Sequence, residues 1–211
     1  MYTTVVFDVD GIMLDSEPFF AEARAYYLKR YGLTPPDIKN VNGSGMLAFW
    51  QNALAANGSA KAPTAQELAK LNFEYCLTRI LDNDTKETTG LSSLLRYLKD
   101  KGYRLAVASS SDKFYVESVL EHLRVYEYFE KIICGDQVRN AKPFPDLYEK
   151  AVEAMNAEKR FCVAVEDSDN GIHSARTAGI DCIGVCLPGS AQTFSECTAK
   201  VYSLPQISEI L

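Results

Sequence analysis

Short apolar runs alternate with helix-like segments over most of the sequence, and this alternation limits the chain to few folds. The runs are rich in β-branched and aromatic residues and cover residues 2–9, 103–108, 131–134, 161–165, 181–185 and 199–202. Most segments between them have the periodicity of helices of about 10–15 residues. Strands joined by such helices pair in parallel through right-handed crossovers, so the pattern predicts a mostly parallel sheet with helices on both faces.

The stretch 15–88 interrupts this alternation, because no strand pattern appears in it. Signals for helix ends occur there instead: Ser16 is a candidate N-cap and Gly32 a candidate end of the first helix. A second helix is predicted over residues 46–56, and Thr64-Ala65-Gln66-Glu67 is a capping box that begins a third. We therefore predict that this stretch is an all-helical insertion.

The predicted fold class is α/β: a Rossmann-like, mostly parallel sheet with helices on both faces plus an inserted all-helical cap subdomain. Residues 1–14 and 89–211 form the core in this prediction, and residues 15–88 form the cap. The hinges between the two parts are expected near residues 14–16 and 86–90.

Composition argues against several kinds of partner. The 211-residue chain has a net charge of −6 and no cluster of lysine and arginine, which disfavours nucleic acids and anionic membranes. No apolar run approaches the roughly 20 residues that span a bilayer, and the N-terminus lacks a signal-peptide pattern. Six cysteines form no Cys-x-x-Cys pair, so we expect small core residues rather than disulfides or zinc ligands. A cytoplasmic monomer is expected.

Two carboxylates, Asp8 and Asp10, lie two residues apart at the end of the first predicted strand. In a parallel α/β sheet that end faces the ligand crevice, and alternate residues point the same way while the strand stays extended. Two like charges this close are costly unless a proton or a cation offsets them, and hard carboxylate oxygens suit Mg²⁺. Taken alone, the pair is equally compatible with solvated aspartates in a turn.

Three further groups follow later in the chain. Ser109-Ser110-Ser111-Asp112 comes after an apolar strand, where a hydroxyl and backbone amides at a helix start form a phosphate cradle. Lys142 lies in a segment stiffened by prolines, and Glu166-Asp167 leaves the end of another apolar strand. Each also has an ordinary interpretation when read alone: a cluster in which Asp112 caps the next helix, a solvated lysine, and acids that stabilise a helix N-terminus.

The order Asp-x-Asp-Gly at residues 8–11, Ser109, Lys142-Pro143 and Glu166-Asp167 resembles the haloacid dehalogenase (HAD) superfamily of phosphotransferases. The extension Leu14-Asp15-Ser16-Glu17-Pro18 is similar to that of its β-phosphoglucomutase and sugar-phosphate phosphatase branch. The resemblance covers essentially the whole chain. It implies an α/β core with a cap that closes over the active site, and a small phosphorylated metabolite as the partner.

The resemblance also implies roles for the acids. Asp8 matches the nucleophile that forms an aspartyl-phosphate. Asp10 matches the general acid and base, which protonates the leaving group, then activates water, and gives its backbone carbonyl to the metal. The Mg²⁺ ligands implied are Asp8, Asp10, Asp167 and Glu166, the last directly or through water. The metal would orient the phosphate and screen its charge against the nucleophile.

The remaining matched residues are implied to bind the phosphoryl group. Ser109 holds its oxygens together with the backbone amide of Ser110. Lys142 neutralises the negative charge that develops on the group during transfer.

The predicted cap departs from that of β-phosphoglucomutases at two positions. Those enzymes generally have an arginine three residues after a glycine at the start of the second cap helix, whereas Met46 follows Gly43 at this spacing. Phe20 also occupies the position of a histidine in their first cap helix. We therefore predict a Mg²⁺-dependent phosphatase of small phosphomonoesters, most of all sugar phosphates, with β-phosphoglucomutase as the alternative.

Two other classes are disfavoured. Haloacid dehalogenases lack the second motif aspartate, which Asp10 supplies here. A binding protein that keeps the fold without turnover is disfavoured because packing alone gives no reason for a costly cluster of four acids and a lysine.

Overall fold

A computed structural model describes residues 1–36, 45–58, 62–187 and 192–211. The chain forms two compact units: an α/β unit of Met1–Asp15 and Lys86–Leu211, and a helical unit of Ser16–Thr85. Gly43 and Ser44, from which the comparison with phosphoglucomutases is counted, lie outside the described residues. Within the described part of the chain, we find no helix with both the length and the apolarity needed to cross a bilayer.

The α/β unit contains a single six-stranded sheet. Its strands are β1 (Thr4–Phe7), β2 (Arg104–Ala108), β3 (Lys131–Ile133), β4 (Cys162–Glu166), β5 (Asp181–Val185) and β6 (Ala199–Val201). The α-helices among the described residues are α1 (Glu17–Tyr31), α2 (Met46–Asn57), α3 (Ala65–Asp82), α4 (Leu91–Asp100), α5 (Lys113–His122), α6 (Asp146–Ala154) and α7 (Asp169–Thr177). All neighbouring strands pair in parallel in the order β3-β2-β1-β4-β5-β6. The predicted Rossmann-like α/β fold is confirmed.

Helix caps and apolar side chains explain how the α/β unit assembles. The Asp112 side chain accepts a hydrogen bond from the Tyr115 amide at 2.8 Å and so caps α5, as the sequence predicts. The Ser168 hydroxyl accepts from the Gly171 amide at 3.1 Å and caps α7. Helices α6 and α7 pack on the sheet through a buried cluster that includes Val6, Ala106, Leu147, Tyr148, Val152, Ala164, Ile172 and Cys182.

The first strand ends at Phe7, two residues before its predicted end. The Asp8 amide still donates to the Val165 carbonyl at 3.0 Å, so this residue continues the edge of the sheet. The chain then turns away in a loop where Gly11 has a φ of +81°, a conformation that glycine adopts at little cost. Asp10 therefore lies in this loop, and the strand alternation predicted for the two aspartates stops at the first of them.

The helical unit comprises α1, α2 and α3. The predicted capping box is confirmed: the Thr64 hydroxyl accepts from the Glu67 amide at 3.2 Å, and the Glu67 carboxylate accepts from the Thr64 amide at 2.8 Å. The predicted Ser16 cap is wrong, because Ser16 has helical backbone angles and its side chain makes no capping hydrogen bond to α1. The core of this unit includes Tyr27, Leu28, Leu33, Trp50, Ala53, Ala65, Leu68 and Ala69.

Candidate active site

The carboxyl ends of β1 and β4 lie side by side where the strand order reverses, since the chain runs outward from β1 to β3 and then returns to β4. Open α/β sheets bind ligands outside the carboxyl ends of their strands at such a point. Phe7 pairs with Val107 of β2 and Val165 of β4. Continuing that register by one residue places Asp8 level with Glu166, the last residue of β4. The topology itself thus brings two distant acids together.

Lys142 joins these two acids. Its Nζ lies 2.7 Å from Asp8 Oδ1 and 2.6 Å from Glu166 Oε1. The Lys142 residue is 5% exposed, which excludes the interpretation of a solvated surface lysine. Ionised groups buried to this degree are stable only when paired, because separation would leave a charge without water or counter-charge. The segment before α6 therefore supplies one ammonium that ties the end of β1 to the end of β4.

Glu166 is fully buried, and protein groups donate to both of its oxygens. Besides the ammonium, the Tyr148 hydroxyl of α6 donates to Oε1 at 2.7 Å, and the Asp167 amide donates to Oε2 at 3.2 Å. Gly171 packs directly against the carboxylate: a Cβ at that position would lie 2.0 Å from its atoms. Glu166 is consequently held in one orientation, and only glycine fits beside it.

Asp8, Glu166 and Asp167 form the candidate metal centre. Each offers a carboxylate oxygen that lies within 4.8 Å of the other two. Gly11 permits this approach, because a Cβ there would lie 1.8 Å from Asp167 Oδ2. Hard carboxylate oxygens are the donors that Mg²⁺ prefers. The donor set and its convergence therefore fit the divalent cation expected from the sequence.

The charge balance of the cluster favours a bound cation as well. Burial raises the pKa of Asp8 well above its usual value; the Lys142 ammonium opposes this, and the neighbouring carboxylates raise that pKa further. Burial, followed by the Glu166 carboxylate, raises the pKa of Asp167 to about 7. The pKa of Lys142 lies above its usual value, because its two acidic partners outweigh the opposing effect of burial. Three carboxyl groups thus share one ammonium here, and a divalent cation would offset the cost of ionising them together.

Asp10 contacts α5 and the residues just before it. The Ser111 hydroxyl donates to Asp10 Oδ2 at 2.7 Å, and the Tyr115 hydroxyl donates to Asp10 Oδ1 at 2.7 Å. Asp10 is partly exposed, whereas Ser111 and Tyr115 are buried. Its carboxylate is also close enough to raise the pKa of Asp8. Asp10 is therefore a neighbour of the buried cluster, with a separate set of hydrogen-bond donors.

The two predicted phosphate-binding serines follow β2, the strand next to β1. Ser109 is fully buried; its amide donates to the Ile133 carbonyl at 3.0 Å, and its hydroxyl accepts from the Ser111 amide at 3.1 Å. Ser110 is partly buried, and its carbonyl lies against Gly135, where a Cβ would come within 2.2 Å. Both stand at the carboxyl edge of the sheet, and their binding of phosphate stays a prediction.

Three hydroxyl groups at the site were missed by the sequence reasoning: those of Ser111, Tyr115 and Tyr148. Both tyrosines occupy helix positions whose spacing indicates only core packing. The sequence signal for them was the choice of tyrosine at an apolar helix position, because a buried tyrosine needs a hydrogen-bond partner for its hydroxyl and a phenylalanine does not.

The chain is similar in sequence to a family of known enzymes. The profile of a family described as haloacid dehalogenase-like hydrolase matches residues 5–185. The chain is 32% identical over 189 residues to the fructose-1-phosphate phosphatase YqaB of Escherichia coli, covering 88% of this chain and 97% of that protein. It is 30% identical over 182 residues to the phosphorylated carbohydrates phosphatase of Thermotoga maritima, covering 84% of this chain and 82% of that protein.

A solved structure has a similar fold. It is the structure of CbbY from Rhodobacter sphaeroides in complex with phosphate, which matches this chain with a TM-score of 0.85 and 25% sequence identity. The match covers 98% of this chain and 96% of that one.

Proposed function

The chain belongs to the haloacid dehalogenase-like hydrolases, and from this premise we propose that it is a Mg²⁺-dependent phosphatase of small phosphomonoesters, sugar phosphates above all. Its phosphatase relatives support its assignment as a phosphoric monoester hydrolase. The observation that carries the proposal is the position of Asp8, held by the Lys142 ammonium at the switch point of the sheet.

We propose that Asp8 is the nucleophile. One of its carboxylate oxygens attacks phosphorus, the bond from phosphorus to the ester oxygen breaks, and Asp10 gives a proton to the departing oxygen. Water then attacks the aspartyl-phosphate; Asp10 accepts a proton from that water, and the Asp8 carboxylate and inorganic phosphate are released. Asp10 is used in opposite protonation states in the two steps, as an acid in the first and as a base in the second. It follows the Asp8 nucleophile by two residues, so both side chains can reach one phosphoryl group.

Lys142 acts electrostatically in this proposal. Its ammonium is fixed by Glu166, which is itself fixed by Tyr148. A cation held in place before the reaction stabilises charge on the transferred phosphoryl group without reorganising during the step. Ser109 and the Ser110 amide are proposed to hold phosphoryl oxygens at the end of the neighbouring strand.

The residues that would hold Mg²⁺ are Asp8, Asp167, the backbone carbonyl of Asp10, and Glu166 directly or through water. When bound, the ion supplies charge that screens the phosphate from the carboxylates and fixes its orientation. The carboxylate oxygens converge as such a site requires, and Gly11 leaves room for Asp167.

The proposed substrate class rests on the relatives. Two of them are named as phosphatases of fructose 1-phosphate and of phosphorylated carbohydrates, while a third, at 28% identity, is a phosphoglycolate phosphatase of Colwellia psychrerythraea. The absence of an arginine at Met46 and of a histidine at Phe20 favours the phosphatase over β-phosphoglucomutase, since a mutase must hold a second phosphate. The cap role of residues 15–88, the monomeric state and the cytoplasmic location stay predictions.

Phosphate release from a panel of phosphomonoesters with Mg²⁺ tests the proposal, beside a coupled assay for conversion of β-glucose 1-phosphate to glucose 6-phosphate with a trace of the 1,6-bisphosphate. We expect release from sugar phosphates without isomerisation, loss of activity with EDTA and its return with Mg²⁺. Fast isomerisation with little free phosphate would identify a mutase instead.

The nucleophile is tested by Asp8→Asn, with Asp100→Asn on the exposed end of α4 as the matched control. We expect the first variant to lose phosphate release and the second to keep it. An Asp8→Asn enzyme that hydrolyses its ester at the normal rate would contradict the assignment.

A further inference from the structure

The Asp10 carboxylate is held by one hydroxyl group on each of its oxygens. Ser111 Oγ donates to Oδ2, Tyr115 Oη donates to Oδ1, and both distances are 2.7 Å. These are charge-assisted hydrogen bonds of short length, which are stronger than those between neutral groups. Two donors on opposite oxygens fix both the position of the carboxylate and the rotation of its plane.

The two donors are themselves rigid. Tyr115 is fully buried, and its amide is fixed by the Asp112 cap at 2.8 Å, so its ring is anchored in the first turn of α5. The Ser111 amide is fixed by the Ser109 hydroxyl at 3.1 Å. The Asp10 carboxylate, attached to a loop, thus receives its orientation from the start of a helix on another segment of the chain.

The hydroxyl of Tyr115 serves this contact rather than packing. A phenylalanine would fill the same space among the buried side chains of α5, which include Val116, Val119 and Leu120. Burial of a phenolic hydroxyl is costly unless it finds a partner, and here that partner is the acid proposed to transfer protons.

We propose that Tyr115 and Ser111 are positioning residues that hold Asp10 where it can protonate the leaving group. This inference rests on the proposed function, in which Asp10 is the general acid. Neither hydroxyl touches the reacting atoms in the proposal; each acts through the carboxylate. The contribution of both depends on the chemistry of the departing oxygen, because a poor leaving group needs a proton in the transition state and a good one does not.

A comparison of kcat/KM for two phosphate esters distinguishes this positioning role from a purely structural one. Nitrophenolate leaves p-nitrophenyl phosphate without needing a proton, whereas the alkoxide of a sugar phosphate does need one. We compare kcat/KM for both esters in the wild type, Tyr115→Phe, Ser111→Ala, the double variant and Asp10→Asn. Tyr2→Phe is the matched control, because the Tyr2 hydroxyl also donates to a carboxylate, that of Asp181, at 2.9 Å. Asp181 is the first residue of β5, so this contact lies at the amino ends of the strands, away from the site.

For Tyr115→Phe we expect kcat/KM on the sugar phosphate to fall about tenfold, and on the aryl phosphate to fall less than about twofold, since general acid catalysis as a whole contributes about 10²–10⁴-fold. Ser111→Ala should show the same selectivity. The double variant should lose no more than Asp10→Asn, because both hydroxyls act through one carboxylate. Tyr2→Phe should leave both values unchanged.

The possible failures are distinguishable. Equal losses on both esters in Tyr115→Phe and Ser111→Ala, or the same selectivity in Tyr2→Phe, would overturn the positioning role. So would a selective loss in Asp10→Asn that is absent from both hydroxyl variants. If Asp10→Asn itself shows no preference between the esters, Asp10 is not the acid; the proposed function then fails at that step, and the positioning role falls with it.

Discussion

The α/β unit and the helical unit differ in whether their buried polar side chains have partners. In the α/β unit the buried Lys142 ammonium pairs directly with the buried carboxylates of both Asp8 and Glu166. Among the described residues of the helical unit, the fully buried Asn72 has no hydrogen-bond partner for its amide nitrogen or its carbonyl oxygen, and the buried Trp50 Nε1 has none there either. Within the described residues the α/β unit has one such atom, Thr4 Oγ1.

The difference shows which unit depends on polar geometry. A buried ion cluster with all its partners present is strongly cooperative, and loss of one member leaves the others uncompensated. A buried amide without partners has no such neighbours to disturb, so its removal relieves a cost instead. Replacing a buried polar group by an apolar side chain of similar shape should therefore lower the free energy of unfolding in the α/β unit and raise it in the helical unit.

The largest effect is expected at Lys142. Lys142→Met keeps the length of the side chain but leaves Asp8 and Glu166 buried beside each other without the ammonium. We expect the free energy of unfolding to fall by about 3–5 kcal/mol and kcat to fall about 100-fold or more, as when one electrostatic donor is removed from an active site. Urea unfolding and steady-state kinetics measure the two.

Lys113→Met is the control for this change, because Lys113 is exposed and pairs with Glu117 only at 3.7 Å on the surface of α5. It should alter stability by less than about 0.5 kcal/mol. Similar losses in both lysine variants would mean that the buried cluster is no more cooperative than a surface ion pair.

Much of the fold was predictable from local patterns, since strands and helices follow from apolar periodicity and from end signals such as Asp112 and Gly32. These signals act within a few residues, so they also placed Asp8 and Glu166 at strand ends. The Ser16 cap failed because residue type does not reveal the helical backbone angles that Ser16 adopts.

The hydrogen bonds of the site were not predictable in the same way. The contact of Tyr148 with Glu166 joins residues 18 positions apart, and that of Tyr115 with Asp10 joins residues 105 apart. Both depend on how two crossover helices pack on the sheet. Only the resemblance to a family, and not any local pattern, distinguished Lys142 from an ordinary surface lysine.

A gain in stability is expected at Asn72. Asn72→Leu replaces the amide by two methyl groups of the same branched shape. It therefore removes two buried polar atoms that have no partner in the described part of the chain, and it adds apolar contact. We expect the free energy of unfolding to rise by about 1–2 kcal/mol, measured by thermal or urea unfolding.

Asn52→Leu is its control, because Asn52 is exposed on α2 and donates to the Ala48 carbonyl at 2.8 Å. That variant should change stability by no more than about 0.5 kcal/mol. A loss of stability in Asn72→Leu would contradict the contrast between the two units.

The smallest effect concerns the capping box of α3, whose polar groups are paired with one another. Hydrogen bonds from the Thr64 amide and hydroxyl lower the pKa of Glu67 below its usual value. A carboxyl whose pKa is lower in the folded state stabilises the fold above its unfolded pKa, about 4.3, and this contribution disappears as the pH falls through the lower folded value.

The stability difference between wild type and Glu67→Gln should therefore be constant at neutral pH and shrink below about pH 4. Unfolding midpoints measured from pH 7 to pH 3 test this, with Glu74→Gln on the same helix as the control. A difference that persists unchanged at pH 3 would mean that the cap acts through the shape of its hydrogen bonds and not through the charge.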